Sequence, residues 1–116
     1  MPVTVYHNPR CSKSRQTLAL LEERGVAYEI VEYLKHPPSA DELAGIVGKL
    51  GLRPADIVRT GQAEWKELGI EVDEIGDRKL LELLADEPIL IQRPIVVAGE
   101  RARIGRPPEA VLEIVE

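Results

Sequence analysis

Cysteine is almost missing from this chain. Among 116 residues there is one, Cys11, which excludes an intramolecular disulfide and a cysteine-rich zinc site. So little cysteine suits a reducing compartment, and a cytoplasmic location is expected. Phenylalanine is absent and aromatics make up 3% of the chain, so the core must be aliphatic. The two histidines, His7 and His36, are not clustered, and no metal site is expected. No apolar run reaches the roughly 18 residues that a membrane-spanning helix needs. The N-terminus lacks a charged n-region followed by an apolar h-region, so no signal peptide is expected. Net charge is -5, from 20 acidic and 15 basic residues, which argues against a broad basic surface for nucleic acid. A Gly-rich phosphate loop of the Walker or Rossmann kind is also absent.

What is present reads as an ordinary globular chain. Its hydrophobic fraction is 44%, and its length suits one domain spanning 1–116. Val3 to Tyr6 is a short run of β-formers and reads as a buried strand. Ser12 to Glu23 follows as a helix closed by Arg24-Gly25, and Ala27 to Tyr33 reads as the second strand. A helix between two strands makes a βαβ unit with parallel strands and a right-handed crossover.

From Ser39 to Asp86 the pattern turns helical. Ser39 and Glu42 form a capping box, and Leu43, Ile46, Val47 and Leu50 fall on one face up to Gly51. Pro54 to Val58 and Ala63 to Leu68 read as short helices. Asp77 reads as the N-cap of a helix carrying Leu80, Leu81 and Leu84. An all-helical insertion over about 39–86 is therefore expected. Pro94 to Val97 and Ala102 to Ile104 read as a hairpin turning at Gly99-Glu100. A last helix starts at Pro107-Pro108 and buries Val111, Leu112 and Val115. The order is βαβ, helical insertion, ββα. That is an α/β chain with a four-stranded mixed sheet, in the thioredoxin-like order.

The chemistry concentrates in His7-Asn8-Pro9-Arg10-Cys11-Ser12-Lys13-Ser14-Arg15. A lone cysteine is most often a small buried hydrophobe. Here its neighbours Pro9, Arg10, Ser12 and Lys13 make a polar loop instead. Strand, tight loop and helix place Cys11 at a helix N-terminus, where unpaired N–H groups and the macrodipole favour an anion. Such starts with cationic neighbours lower a cysteine from about 8.5 to roughly 3.5–7.5. A drop of about two units, near 2.7 kcal/mol, makes the thiolate dominant at neutral pH.

Three motifs, His-Asn-Pro-Arg-Cys-Ser-Lys-Ser-Arg, Arg-Pro-Ile-Val-Val and Ile-Gly-Arg-Pro-Pro-Glu, closely resemble the glutaredoxin-coupled arsenate reductase family of the ArsC type. This is the ArsC/Spx branch of the thioredoxin-like fold. The resemblance covers essentially the whole chain, helical insertion included. It implies that Cys11 is the catalytic nucleophile and that Arg59, Arg93 and Arg106 bind the oxyanion substrate. It implies that His7 and Ser14 tune the thiol, in which Arg15 also takes part as a neighbouring cation, and that Pro94 is the cis proline facing the cysteine. The implied activity is reduction of arsenate to arsenite through a Cys11–arsenic adduct. Glutathione is the implied co-substrate, glutaredoxin the protein partner, with no bound cofactor and a monomeric chain.

Guanidinium groups suit these roles, because a planar fork grips oxyanion oxygens in pairs as lysine cannot. Each residue also has a plainer reading. Arg59 reads as a cation at a helix end, and Arg93 as an edge charge beside Pro94. Arg106 precedes a helix start, where a cation is locally unfavourable, so a purely structural role suits it less well. His7 reads equally as a satisfied strand-end histidine, and Ser14 as a helix-surface or capping serine. Position 14 carries serine where a Cys-x-x-Cys protein has its second thiol, so any two-electron turnover needs an external thiol. Two rival readings stand beside the reductase. One is an Spx-type transcription regulator that binds RNA polymerase, although the Cys-x-x-Cys switch frequent in that group is absent. The other is a glutathione-dependent thiol oxidoreductase that does not act on arsenate.

Overall fold

The computed structural model describes residues 2–115. They fall into two compact units, one formed by residues 2–36 with 93–115 and the other by Pro37–Gln92.

The first unit is built on a four-stranded mixed sheet. Strands β1 (Val3–Tyr6), β2 (Glu29–Val31), β3 (Ile95–Ala98) and β4 (Arg101–Ile104) lie in the order β2-β1-β3-β4. β1 runs parallel to β2 and antiparallel to β3, with Val5 opposite both Ile30 and Val96. β3 pairs antiparallel with β4 through a turn at Gly99, whose φ of 63° is open to glycine at little cost. Helix α1 (Ser12–Glu23) connects β1 to β2. It ends in a Schellman motif: Val26 N–H donates to Leu21 C=O and Gly25 N–H to Glu22 C=O, with Gly25 left-handed at φ 69°. Leu21 then packs with Val3, Val5, Val96, Ala98 and Val111 in an aliphatic core. Full burial of each larger side chain contributes about 1.5–3 kcal/mol.

Three expectations need correction here. The second strand is three residues rather than the run Ala27 to Tyr33, and it lies at the sheet edge with Glu29 and Ile30 exposed. After Val31 the chain folds into a turn in which Lys35 and His36 N–H groups both donate to Glu32 C=O. That turn takes Tyr33 out of the ladder and into the interior. The last helix begins as a 3-10 turn, Pro108–Val111, before α5 (Leu112–Val115). Val111 is buried, but Leu112 and Val115 are only half-buried, Val115 still packing against the core.

The second unit is helical, with α2 (Ala40–Leu50), α3 (Ala63–Leu68) and α4 (Asp77–Asp86). The Ser39/Glu42 capping box is present: Ser39 Oγ accepts from Glu42 N–H, and Glu42 Oε1 accepts from Ser39 N–H. α2 packs on α4, burying Leu43, Ile46, Val47 and Leu50 with Leu80, Leu81 and Leu84. The N-cap of α4 is Gly76, not Asp77. Asp77 instead occupies the first turn, where its charge complements the dipole. Pro54–Ile57 is a 3-10 turn, and Val58 forms an isolated antiparallel bridge with Ile91. No helix among the described residues is long and apolar enough to cross a membrane.

Candidate active site

β1 delivers the chain into the loop His7–Arg10, and α1 takes it away. His7 N–H donates to Val31 C=O at 2.9 Å and extends the parallel ladder one step beyond the strand. Cys11 N–H then donates to Asn8 C=O at 3.0 Å, closing a tight turn, and Arg15 N–H donates to Cys11 C=O at 3.1 Å as α1 starts. Cys11 is the N-cap residue of α1, with extended backbone at φ -92°, ψ 123°.

The first turn of α1 contains no acidic residue. Helix starts ordinarily carry a carboxylate or a capping oxygen that answers the positive dipole end. Here the sulfur occupies that position. Cys11 is 9% exposed. Burial pushes its thiol up and is the largest single influence. Against it act the Ser14 N–H, the Arg93 guanidinium through hydrogen bonding and charge, and the Lys13 N–H. Together they prevail, and the thiol sits below its ordinary value.

Arg93 and Arg106 approach the sulfur from the segment around β3 and β4. The Arg93–Pro94 and Arg106–Pro107 peptides are both cis. Arg106 Nη2 lies 3.6 Å from Cys11 Sγ, and Arg106 Nε donates to the Arg93 carbonyl at 2.8 Å. Arg93 Nε and Nη1 are buried with no hydrogen-bond partner among the described residues. Gly105 sits under this arrangement, its N–H donating to Pro94 C=O at 2.9 Å. A Cβ at position 105 would stand 2.5 Å from Thr17 Oγ1 and 2.8 Å from Pro94 Cγ. Only glycine lets the Arg106 segment lie so close to Pro94 and α1.

Behind the sulfur, Ser14 Oγ accepts the Asn8 N–H at 3.1 Å and lies 2.6 Å from His7 Nδ1. Burial lowers the His7 imidazole below its ordinary value and the Arg15 charge helps, while Glu32 opposes them. With the imidazole proton on Nε2, Nδ1 accepts and the chain of donation runs Asn8 N–H to Ser14 O–H to His7 Nδ1; with the proton on Nδ1, His7 donates to Ser14 Oγ instead. His7, Asn8 and Ser14 are all buried, and this relay satisfies them. Arg15 is turned outward, donating from Nη1 to Pro9 C=O at 2.8 Å, and so braces the loop.

Arg59 belongs to the second unit. Its N–H donates to Leu90 C=O at 2.7 Å, and its Nη1 donates to Gln62 Oε1 at 2.7 Å. Two residues of the first unit's site escaped the sequence reading. Asn8 orders the loop, its Oδ1 accepting from Arg10 N–H at 3.0 Å. Tyr33 is 1% exposed, with its hydroxyl buried and unpaired among the described residues.

Comparison with known proteins bears on this geometry. The ArsC family model matches residues 6–114. The uncharacterized protein YfgD of Escherichia coli K12 is 48% identical over 114 residues, covering 97% of this chain and 96% of its own length. An arsenate reductase of Neisseria meningitidis is 47% identical over 110 residues, covering 94% of each chain. Among solved structures, the arsenate reductase from Vibrio cholerae superposes with a TM-score of 0.94 at 47% identity, covering 98% of each chain.

Proposed function

Since the chain belongs to the ArsC family, we propose that it is an arsenate reductase that draws its electrons from glutathione and glutaredoxin. The observation that carries this reading is Cys11 held below its ordinary value at a helix start, with Arg106 at 3.6 Å and the unpaired donors of Arg93 beside it. The family relatives named arsenate reductase support the choice of substrate.

Arsenate resembles phosphate, and paired guanidinium forks suit its oxygens. Arg93 and Arg106 would hold the anion over the sulfur. The Cys11 thiolate attacks arsenic(V), and one arsenate oxygen leaves as water after taking up protons. The product is a sulfur–arsenic(V) adduct. A glutathione thiolate then attacks Cys11 Sγ. The S–As bond breaks with its electron pair going to arsenic, which departs as arsenite, and a Cys11–glutathione disulfide forms. Glutaredoxin removes the glutathionyl group by thiol exchange and restores Cys11. External thiols are required because the sequence holds no second cysteine.

A coupled assay tests the proposal. NADPH oxidation is followed with glutathione, glutathione reductase, glutaredoxin and arsenate. The wild type should turn over in an arsenate-dependent way, and Arg93→Ala should lose at least tenfold in kcat/KM. A wild-type rate that is independent of arsenate, with Cys11 intact, sinks the proposal.

A further inference from the structure

β1 and β2 run parallel, so their chains leave the sheet at the same end. Ligands of open α/β sheets collect at that end, outside the carboxyl termini of the strands. After β1 comes the loop His7–Arg10, and after β2 the turn in which Lys35 and His36 N–H groups donate to Glu32 C=O. The two segments enclose a cavity of about 330 Å³. Small-molecule sites run from roughly 300 to 1,000 Å³, so a small ligand fits. The walls include Asn8, Pro9 and Arg10 from the loop, with Glu32, Leu34 and Lys35 from the turn. Cys11 follows Arg10 directly, and its N–H is bonded to the Asn8 carbonyl at 3.0 Å. Neither Arg93 nor Arg106, the proposed grips for the oxyanion, lines this cavity.

The walls sort by chemistry. Arg10 and Lys35 are exposed cations, Glu32 is a half-buried carboxylate, and Leu34 is a large apolar side chain that stays 38% exposed. Lys35 Nζ meets Glu32 Oε1 at 3.7 Å with both side chains in reach of solvent. Such a pair contributes little and opens readily to a charged ligand. The two cations stand together on a chain whose net charge is -5. We infer, resting on the proposed thiol-driven reduction, that this cavity docks the reducing thiol, an acidic thiol peptide of the glutathione type. Arg10 and Lys35 answer its two carboxylates, Glu32 its amine, and Leu34 with Pro9 its methylene stems. An extended tripeptide spans roughly 10 Å, so a carboxylate held in the cavity lets the thiol reach the sulfur of the adjoining residue. A thiol without carboxylates finds no such hold.

Thiol–disulfide exchange separates docking from arsenate chemistry. The Cys11 thiolate attacks one sulfur of glutathione disulfide, a new S–S bond forms, the old one breaks, and one glutathione thiolate leaves. The same exchange is timed with bis(2-hydroxyethyl) disulfide, which is uncharged. Dividing the first rate by the second cancels any change in Cys11 reactivity. Lys35→Glu and Arg10→Glu should each lower this ratio about fivefold, the upper reach of one exposed charge pair. Lys49→Glu, exposed on α2 in the second unit, makes the same change in net charge and should keep the wild-type ratio. A loss in either cavity variant that Lys49→Glu does not share supports the inference. Ratios within twofold of wild type in both cavity variants overturn it. So does an equal loss in Lys49→Glu, which marks a general charge effect. Binding is read separately from wild-type amide NMR shifts on adding S-methylglutathione, which cannot exchange. Asn8, Arg10, Leu34 and Lys35 should shift most, and shifts confined to other segments also overturn the inference. Failure of arsenate turnover in the coupled assay, with the loss of ratio intact, counts against the reductase reading alone.

Discussion

Arg106 Nε donates a hydrogen bond to the carbonyl of Arg93 at 2.8 Å, while its Nη2 lies 3.6 Å from Cys11 Sγ. One side chain thus ties down the backbone of a second arginine and faces the nucleophile at the same time. Lysine has one nitrogen and cannot do both. Arg106→Lys should lower kcat/KM for arsenate by about tenfold or more, near 1.4 kcal/mol. A kcat/KM within twofold of wild type would refute this use of the fork.

Arg93 helps to hold the Cys11 thiol down by hydrogen bonding and charge, together with the Ser14 and Lys13 N–H groups, and Arg106 Nη2 also faces the sulfur at 3.6 Å. The rate of iodoacetamide alkylation against pH should give a midpoint below the ordinary cysteine value in the wild type. Arg93→Met should move that midpoint upward, since the burial that opposes ionisation remains. The helix-start N–H groups persist in the variant, so part of the depression should survive.

His7 links the site to stability. Its imidazole is lowered from 6.5 by burial, with Arg15 adding to this and Glu32 opposing. A group depressed on folding contributes stability that is fully present above its unfolded value. That contribution is lost as pH falls from about 6.5 towards and through the folded value. Urea midpoints of the wild type should therefore decline below about pH 6.5 more steeply than those of His7→Gln. Parallel pH profiles for the two proteins would show that His7 does not carry this dependence.

Position 105 tests close packing alone, because its backbone angles are open to any residue. Thr17 Oγ1 is held by donating to Lys13 C=O at 2.9 Å, and the Pro94 ring is rigid, so neither yields easily to a methyl group. Gly105→Ala should destabilise the protein by about 1–3 kcal/mol in urea unfolding. It should also weaken arsenate turnover, because Arg106 follows directly. Unchanged stability would mean that the segment shifts freely.

Much of this molecule is legible in its sequence because its signals are local. Gly25 and the Ser39/Glu42 pair mark helix ends by rules that act within a few residues. Cys11 announces itself through a polar loop between a strand and a helix. What the sequence concealed depends on distant neighbours. Ala27 to Tyr33 reads as continuous strand, yet pairing stops at Val31, because the parallel ladder to β1 is only three residues long and no second neighbour extends it. Tyr33 therefore passed for a strand residue, when the turn buries it instead. Asn8 was overlooked for a similar reason. Its work is done through its N–H and Oδ1 within the loop, and residue type alone does not disclose that. Asp77 passed for a cap because Gly76, which lacks a capping side chain, actually precedes the helix.

Cys11 is 9% exposed and is the only cysteine in the chain. A disulfide needs two sulfurs about 2 Å apart. Two residues so recessed have little accessible surface through which to meet. Air oxidation of the purified protein should therefore end in slender caps contributed by small thiols, and a non-reducing gel should stay free of chain-to-chain crosslinks.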